Sequence, residues 1–121
     1  MARVSEKVLD RRNYERHRYW TDPHFRNDRK MKDIANTALL GTKPDRFVDE
    51  LDCTVSEFQD HIESQFVRGM NWNNYGTKWE IDHIVPKSAF DLSDEDEYLE
   101  CAHFSNVRPL FRSMNRPGRN G

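Results

Sequence analysis

The sequence predicts a small α+β domain, with a helical N-terminal half and two short strands in the C-terminal half. Three patterns indicate this class. Apolar residues recur at three- and four-residue intervals before residue 68, polar and apolar residues alternate from Trp79, and a second short apolar run begins at Val107. A length of 121 residues suits one domain with a modest core. We therefore treat 1–121 as a single domain.

Three parts of this domain are expected. Residues 1–23 form a basic arm, partly helical and ending near Asp22-Pro23, which Tyr19 or Trp20 anchors to the rest of the domain. Residues 24–68 form a helical part, and residues 69–116 contain the two strands and a closing helix.

Two helices are predicted in the helical part. The first covers residues 24–40 and ends at Gly41. The second covers residues 54–67, begins with a capping box of Thr54 and Glu57, and is closed by Gly69. The apolar face of this second helix consists of Phe58, Ile62 and Phe66.

The C-terminal part is expected to follow the order strand, helix, strand, helix. The first strand contains Trp79 to Asp82 and is ended by Pro86. Acidic residues open a short helix that runs from Ser93 to about His103, because acids favour a helix N-terminus. The second strand is Val107 to Phe111, and a short final helix occupies residues 111–116.

Charge is segregated along the chain although the formal net charge is only −2. Residues 1–32 carry ten Lys/Arg against five Asp/Glu, residues 33–103 carry five against sixteen, and residues 104–121 carry four Arg and no acid. Basic ends suit a polyanion, and solvated helix faces are the plainer alternative; the motif between these ends tilts the balance toward double-stranded DNA. The candidate DNA-contacting residues are Arg11, Arg12, Arg16, Arg18, Arg108 and Arg112.

The two cysteines, Cys53 and Cys101, do not form a C-x-x-C pair, which argues against a structural zinc site and favours free thiols in a reducing compartment. The sequence contains no apolar run of membrane-spanning length, and its start lacks the apolar segment of a signal peptide. We expect a cytoplasmic protein without a membrane partner; for a phage-encoded chain this would be the host cytoplasm.

The most informative residues are the pair Asp82-His83, followed downstream by Asn106 and Asn115. Carboxylate and amide oxygens suit magnesium or manganese, and a neutral imidazole can accept a proton from water. This combination suits hydrolysis of a phosphodiester with one hard metal ion. Neighbouring residues on a regular strand face opposite sides, so Asp82 and His83 can share a site only where the strand ends or bulges.

The motif resembles the HNH nucleases, which have the ββα-metal fold, in the variant with Asn at the third position. The resemblance covers residues 69–116. It depends on two strings, Trp79-x-Ile81-Asp82-His83-Ile84-x-Pro86 and Asn106-x-x-Pro109-Leu110 with Asn115 nine positions after Asn106. The preceding stretch, from Leu40-Gly41 to Tyr75-Gly76, is similar to small HNH proteins of phages and bacteria.

The resemblance implies a role for each motif residue. His83 would be the general base, and Asp82 and Asn115 would bind the metal, Mg²⁺ with Mn²⁺ as a substitute. Asn106 would pin the loop between the strands and hold the imidazole. The implied activity is that of a DNA endonuclease that leaves 5′-phosphate and 3′-hydroxyl ends. Relatives continue after the third motif position with a basic helical segment, whereas Pro117-Gly118 follows here.

Several alternatives stay open. His103 lies three residues before Asn106 and is a rival candidate for contact with metal or phosphate, while His61 is expected to make structural hydrogen bonds. One alternative function is a non-catalytic DNA- or protein-binding module that keeps an HNH fold. Another is an accessory component of a larger nuclease or packaging assembly, active only beside a protein partner.

Overall fold

Five helices and two small antiparallel sheets make up residues 6–115, the part of the chain that the computed structural model describes; side chains are described from residue 11. The predicted α+β class is confirmed. In chain order the elements are α1 (Glu6–Thr21), α2 (Pro23–Leu39), β1 (Phe47–Val48), β2 (Cys53–Thr54), α3 (Val55–Glu63), β3 (Trp79–His83), α4 (Glu95–Ala102), β4 (Val107–Phe111) and α5 (Arg112–Asn115).

A sharp break separates α1 from α2. Asp22 caps α2 by accepting a hydrogen bond from the Phe25 amide at 3.2 Å, and Pro23 occupies the first turn, where no amide hydrogen is needed. The bond from the Phe25 amide lowers the pKa of Asp22. The basic arm is therefore helical from Glu6 to Thr21, and its helix ends beside Asp22-Pro23, as the sequence predicted.

Helix α3 begins as predicted and ends earlier than predicted. Thr54 and Glu57 form both bonds of the capping box, at 3.1 Å and 3.0 Å. The helix ends at Glu63, so its predicted extent to residue 67 is wrong. The Ser64 hydroxyl donates to the His61 carbonyl at 2.7 Å, and the next backbone bonds span three residues, which tightens the chain into turns. Gly69, with φ of 100°, belongs to the following turn.

The hairpin formed by β1 and β2, each only two residues long, was not predicted. Val48 pairs with Cys53, and Asp52 in the turn has φ of 61°, a left-handed conformation that Asp tolerates better than most residues. Strands of two residues are too short to show alternation, so this pairing leaves no pattern in the sequence.

The predicted order of the C-terminal part is confirmed. Strand β3 ends at His83, β4 has its predicted bounds, and the acidic helix α4 lies between them with Asp94 as its N-cap. The strands pair antiparallel, Trp79 with Phe111 through to His83 with Val107.

Two groups of buried residues hold these elements together. The larger joins the end of α2, the hairpin, α3 and the sheet around the fully buried Phe58, Ile62, Trp79 and Val107. The smaller joins α2 to α4 through Met31, Leu92, Tyr98, Cys101 and Ala102. Because α2 belongs to both, its middle is fixed against the sheet and the acidic insert. Among the described residues, no helix is long and apolar enough to cross a membrane.

Candidate active site at the end of strand β3

The candidate site lies where β3 ends. Asp82 is opposite Arg108, and His83, the last residue of the strand, is opposite the fully buried Val107. Directly paired residues share a face of the sheet, so the imidazole is on the core side and the carboxylate on the other. Both nevertheless border one cavity, which Glu80 and Ile81, the two preceding residues of the strand, also line.

This cavity has a volume of about 780 Å³ and lies between α2 and β3. Residues from α2, β3, the loop after β3 and α5 line it together. The lining side chains that carry charge or chemistry are Lys32, Glu80, Asp82, His83, Lys87 and Asn115. Three of the four motif residues thus meet in one space, and Asn106 is the exception.

Both carboxylates of the cavity accept hydrogen bonds from protein side chains. Arg108 Nε donates to Asp82 Oδ2 at 2.9 Å, and the Asp82 side chain is 18% exposed. Asn115 Nδ2 donates to Glu80 Oε1 at 3.1 Å, and Arg112 Nε lies 3.8 Å from Glu80 Oε2. The two acids are two residues apart on one strand and therefore share a face.

His83 is the most unusual side chain of the cavity. Its Nε2 atom is buried and has no hydrogen-bond partner among the described residues. Burial lowers the pKa of His83 to about 4, and the positive charge of Lys87 acts in the same direction, against the opposing effect of Asp82. The imidazole is therefore neutral at physiological pH and keeps a nitrogen lone pair available as an acceptor.

Asn106 lies outside the cavity and fastens the loop that forms its edge. Its side-chain oxygen accepts from the Val85 amide at 2.8 Å, and its Nδ2 donates to the carbonyls of Val85 at 3.2 Å and Cys101 at 3.0 Å. The Asn106 carbonyl also accepts from Ile84 N at 2.9 Å. Asn106 thus pins the loop after β3 through bonds to the backbone of that loop and of α4, and its expected hold on the imidazole stays a prediction.

The donor set fits a hard divalent cation. The carboxylates of Glu80 and Asp82 and the amide side chains of Asn36 and Asn115 line the cavity, and Mg²⁺ prefers oxygen ligands while keeping several waters or phosphate oxygens. Within residues 11–115 no three His, Cys, Asp or Glu side chains cluster closely enough to hold a metal alone. A cation here would be bound by the carboxylates of Glu80 and Asp82, the side-chain oxygen of Asn115 and oxygens of the substrate.

Three charged residues of this cavity were not predicted from the sequence. Glu80 could have been found, because it lies two positions before Asp82 on a predicted strand. Lys32 comes from α2, and Lys87 from the turn after β3, where its Nζ lies 2.7 Å from Asp28. Their convergence depends on how α2 packs, which no local pattern reveals.

The other histidines of the sheet region are occupied elsewhere. His103 does not line the cavity: its Nε2 lies 3.1 Å from an Asp52 oxygen, and its Nδ1 accepts from the Ser105 amide at 3.2 Å. His61 Nε2 lies 3.0 Å from the Val107 carbonyl, the structural bond expected of it. His83 is the histidine that the fold brings to the carboxylates.

The arginines of the arm from residue 11 onward are all exposed, and two have partners. Arg11 lies 3.8 Å from Glu15, and Arg18 bonds Asp22 at 3.4 Å. Of the two candidate anchors, Trp20 is 70% exposed and does not anchor the arm, whereas Tyr19 is half-buried. Phe25 of α2 presents its ring to the arm, and the Arg18 guanidinium carbon lies 4.4 Å from the centre of that ring.

The cysteines are buried thiols. Burial raises the pKa of Cys53 and of Cys101 to about 11 in each case. The thiolate, which binds metals and acts as a nucleophile, is therefore suppressed at both positions.

Comparison with known proteins found relatives of similar sequence in a virus. "Uncharacterized protein L426" of Acanthamoeba polyphaga mimivirus is 34% identical over 116 residues, covering 87% of this chain and 49% of the relative. "Uncharacterized protein L246" of the same virus is 29% identical over 114 residues, covering 93% and 50%. The chain thus spans about half the length of these curated relatives. No family model and no solved structure matches the chain.

Proposed function

We propose that the protein is a metal-dependent DNA endonuclease in which His83 activates the attacking water. The observation that carries this proposal is the single cavity that the Glu80 and Asp82 carboxylates, the Asn115 amide and the His83 imidazole line together. The β3–α4–β4–α5 order supports assigning residues 69–116 to the ββα-metal arrangement of HNH nucleases.

His83 accepts the proton in this scheme. A neutral imidazole that lines the cavity can receive a hydrogen bond from water at its unprotonated nitrogen, and then the proton as the oxygen attacks phosphorus. A magnesium or manganese ion held by Asp82, Glu80 and Asn115 would supply positive charge that stabilises the phosphate and the departing 3′ oxygen. The products are 5′-phosphate and 3′-hydroxyl ends.

Two lysines give the cavity a positive side for phosphate. Lys32 is exposed on α2, and Lys87 is half-buried and paired with Asp28. In this scheme the acids of β3 hold the cation and the two lysines are the residues that bind phosphate oxygens. Arg108 and Arg112 are turned toward Asp82 and Glu80, so we assign them first to positioning the acids and only second to DNA.

A plasmid-nicking assay tests the proposal directly. Supercoiled DNA should be nicked or linearised with magnesium and left intact with EDTA. Asp82→Asn should abolish cleavage, whereas the matched change Asp45→Asn, at an exposed loop residue, should not. Cleavage that persists in EDTA or in Asp82→Asn would refute this assignment.

A non-catalytic DNA-binding role is the second candidate, because each carboxylate of the cavity already has a protein partner. Arg108 on Asp82 and Asn115 on Glu80 satisfy those acids without any cation. Calorimetry with Mg²⁺ or Mn²⁺ separates the candidates, since a binding module should show no saturable uptake of either ion.

A further inference from the structure

A second concave surface lies between α1 and α2, with a volume of about 300 Å³. Its composition differs from that of the cavity at β3, because it combines guanidinium groups with aromatic rings. We call it the Arg–aromatic groove, and the members that matter here are Arg12, Arg16, Tyr19, Trp20, Phe25 and Arg29.

The groove presents its charges and one indole in a row. Arg12, Arg16 and Trp20 are spaced four residues apart on α1, so they follow one face of the helix at intervals of about 6 Å. Trp20 is 70% exposed, whereas Trp79 is fully buried. A large indole left in water, beside two arginines, is a surface suited to a flat ligand that carries negative charge.

The groove is also held in shape. The Arg29 guanidinium carbon lies 5.5 Å from the centre of the Phe25 ring and that of Arg18 lies 4.4 Å from it, so this ring positions cations from both helices. Glu15, the acid in the groove, is paired with Arg11 at 3.8 Å. Among the groove residues, three arginines thus outweigh a single carboxylate.

We propose that the Arg–aromatic groove binds an unpaired stretch of DNA, with a base stacked on Trp20 and phosphates on Arg12, Arg16 and Arg29. Stacking on aromatic side chains, together with a basic groove that follows the backbone, is how proteins hold single strands. Bases inside a duplex are stacked on one another and offer no face to an indole. The inference rests on the proposed function for the choice of DNA, and it adds that the preferred substrate has a single-stranded region or end.

The test is a binding titration in EDTA, so that cleavage plays no part. A short labelled single strand and its blunt duplex are titrated separately with the full chain. Trp20→Ala should weaken single-strand binding by about 10-fold or more, in line with the loss of one stacked base, and should change duplex binding much less. Trp20→Phe should retain most of the affinity. Phe47→Ala removes an aromatic residue that is 53% exposed on β1 and serves as the matched control.

Charge is tested in the same way. Arg29→Gln should weaken single-strand binding and flatten its salt dependence, whereas Arg46→Gln, at an exposed arginine near β1, should do neither. Circular dichroism checks that each variant is folded.

Unchanged single-strand affinity in both Trp20→Ala and Arg29→Gln would overturn the proposal, and so would equal losses for single strand and duplex. If the groove binds single strands in EDTA but the protein cleaves no DNA in magnesium, the proposed nuclease activity is refuted and the proposed binding role of the groove is retained. If the protein cleaves DNA in magnesium but neither variant changes single-strand affinity, only the proposal for the groove is refuted.

Discussion

The cavity at β3 and the surface of α1 hold their charged side chains in different ways. In the cavity, Asp82 is 18% exposed and bonded to Arg108 at 2.9 Å. On α1, the Arg11 side chain is 80% exposed and lies 3.8 Å from Glu15, an interaction of little energetic value. Fixed groups suit chemistry, which needs defined geometry, whereas loosely held cations suit attraction to a polyanion of any sequence.

The sharpest separation of the two regions comes from removing the imidazole. His83→Ala should lower cleavage by at least ~10², because the general base is lost, and should leave DNA affinity nearly unchanged. The measurements are single-turnover cleavage at saturating DNA and a binding titration in EDTA. His103→Ala is the matched control, since that imidazole bonds Asp52 outside the cavity. Wild-type rates in His83→Ala would mean that another group takes the proton.

Acid titration tests whether His83 is as buried in solution as the fold indicates. Its pKa is lowered from 6.5 to about 4 on folding, so the unfolded chain binds this proton more readily. The contribution to stability is complete above pH 6.5 and is lost as pH falls toward 4, by up to ~3 kcal/mol. Urea unfolding of wild type and His83→Gln across this range should show a difference that shrinks with acidity. Parallel curves would place the imidazole in water.

Metal affinity tests whether the ion pair in the cavity competes with a cation. Asp82→Ala should abolish Mg²⁺ binding by calorimetry, and Asn115→Ala should weaken it. Arg108→Gln should tighten it, because the guanidinium that neutralises Asp82 is removed. Asn115→His should shift preference from magnesium toward nickel or cobalt. Wild-type metal binding in Asn115→Ala would exclude α5 from the site.

The reciprocal experiment weakens the arm and spares the cavity. Neutralising Arg11, Arg12, Arg16 and Arg18 together should reduce affinity for all DNA sequences about equally. It should also flatten the slope of log affinity against log salt by up to ~0.9 for each phosphate that is no longer neutralised. Cleavage at saturating DNA should survive. Salt titrations of wild type and the quadruple variant decide this, and identical slopes would show that α1 is only a solvated helix.

The features predicted correctly from the sequence are those set within a few residues. The capping box at Thr54, the acidic start of α4 and the bounds of β4 depend on neighbours along the chain. The early end of α3 depends on side chains that bond back to the helix, which the apolar spacing of Phe66 concealed.

The candidate site likewise contains residues that the sequence predicts and contacts that it does not. The motif located His83 and Asp82, since their positions on β3 follow from alternation and a strand end. It did not predict that Arg108 would bond Asp82, because that needs the cross-strand register, nor that Lys87 would reach Asp28, 59 positions away in sequence. Contacts between residues distant in sequence depend on tertiary packing, which local sequence patterns do not predict.

The bonds that Asn106 makes with Val85 have a consequence for how such a domain can change over time. They close the base of the segment between β3 and β4 with one side chain, so the acidic segment beyond them forms a closed loop. Lengthening a closed loop costs only about 0.6 kcal/mol for each doubling. Insertions at the exposed Ser88 and Ala89 are therefore expected to leave β3 in place, whereas Leu92, fully buried in the smaller core, fixes the far end of this segment. New specificities can be added at these exposed positions at small cost.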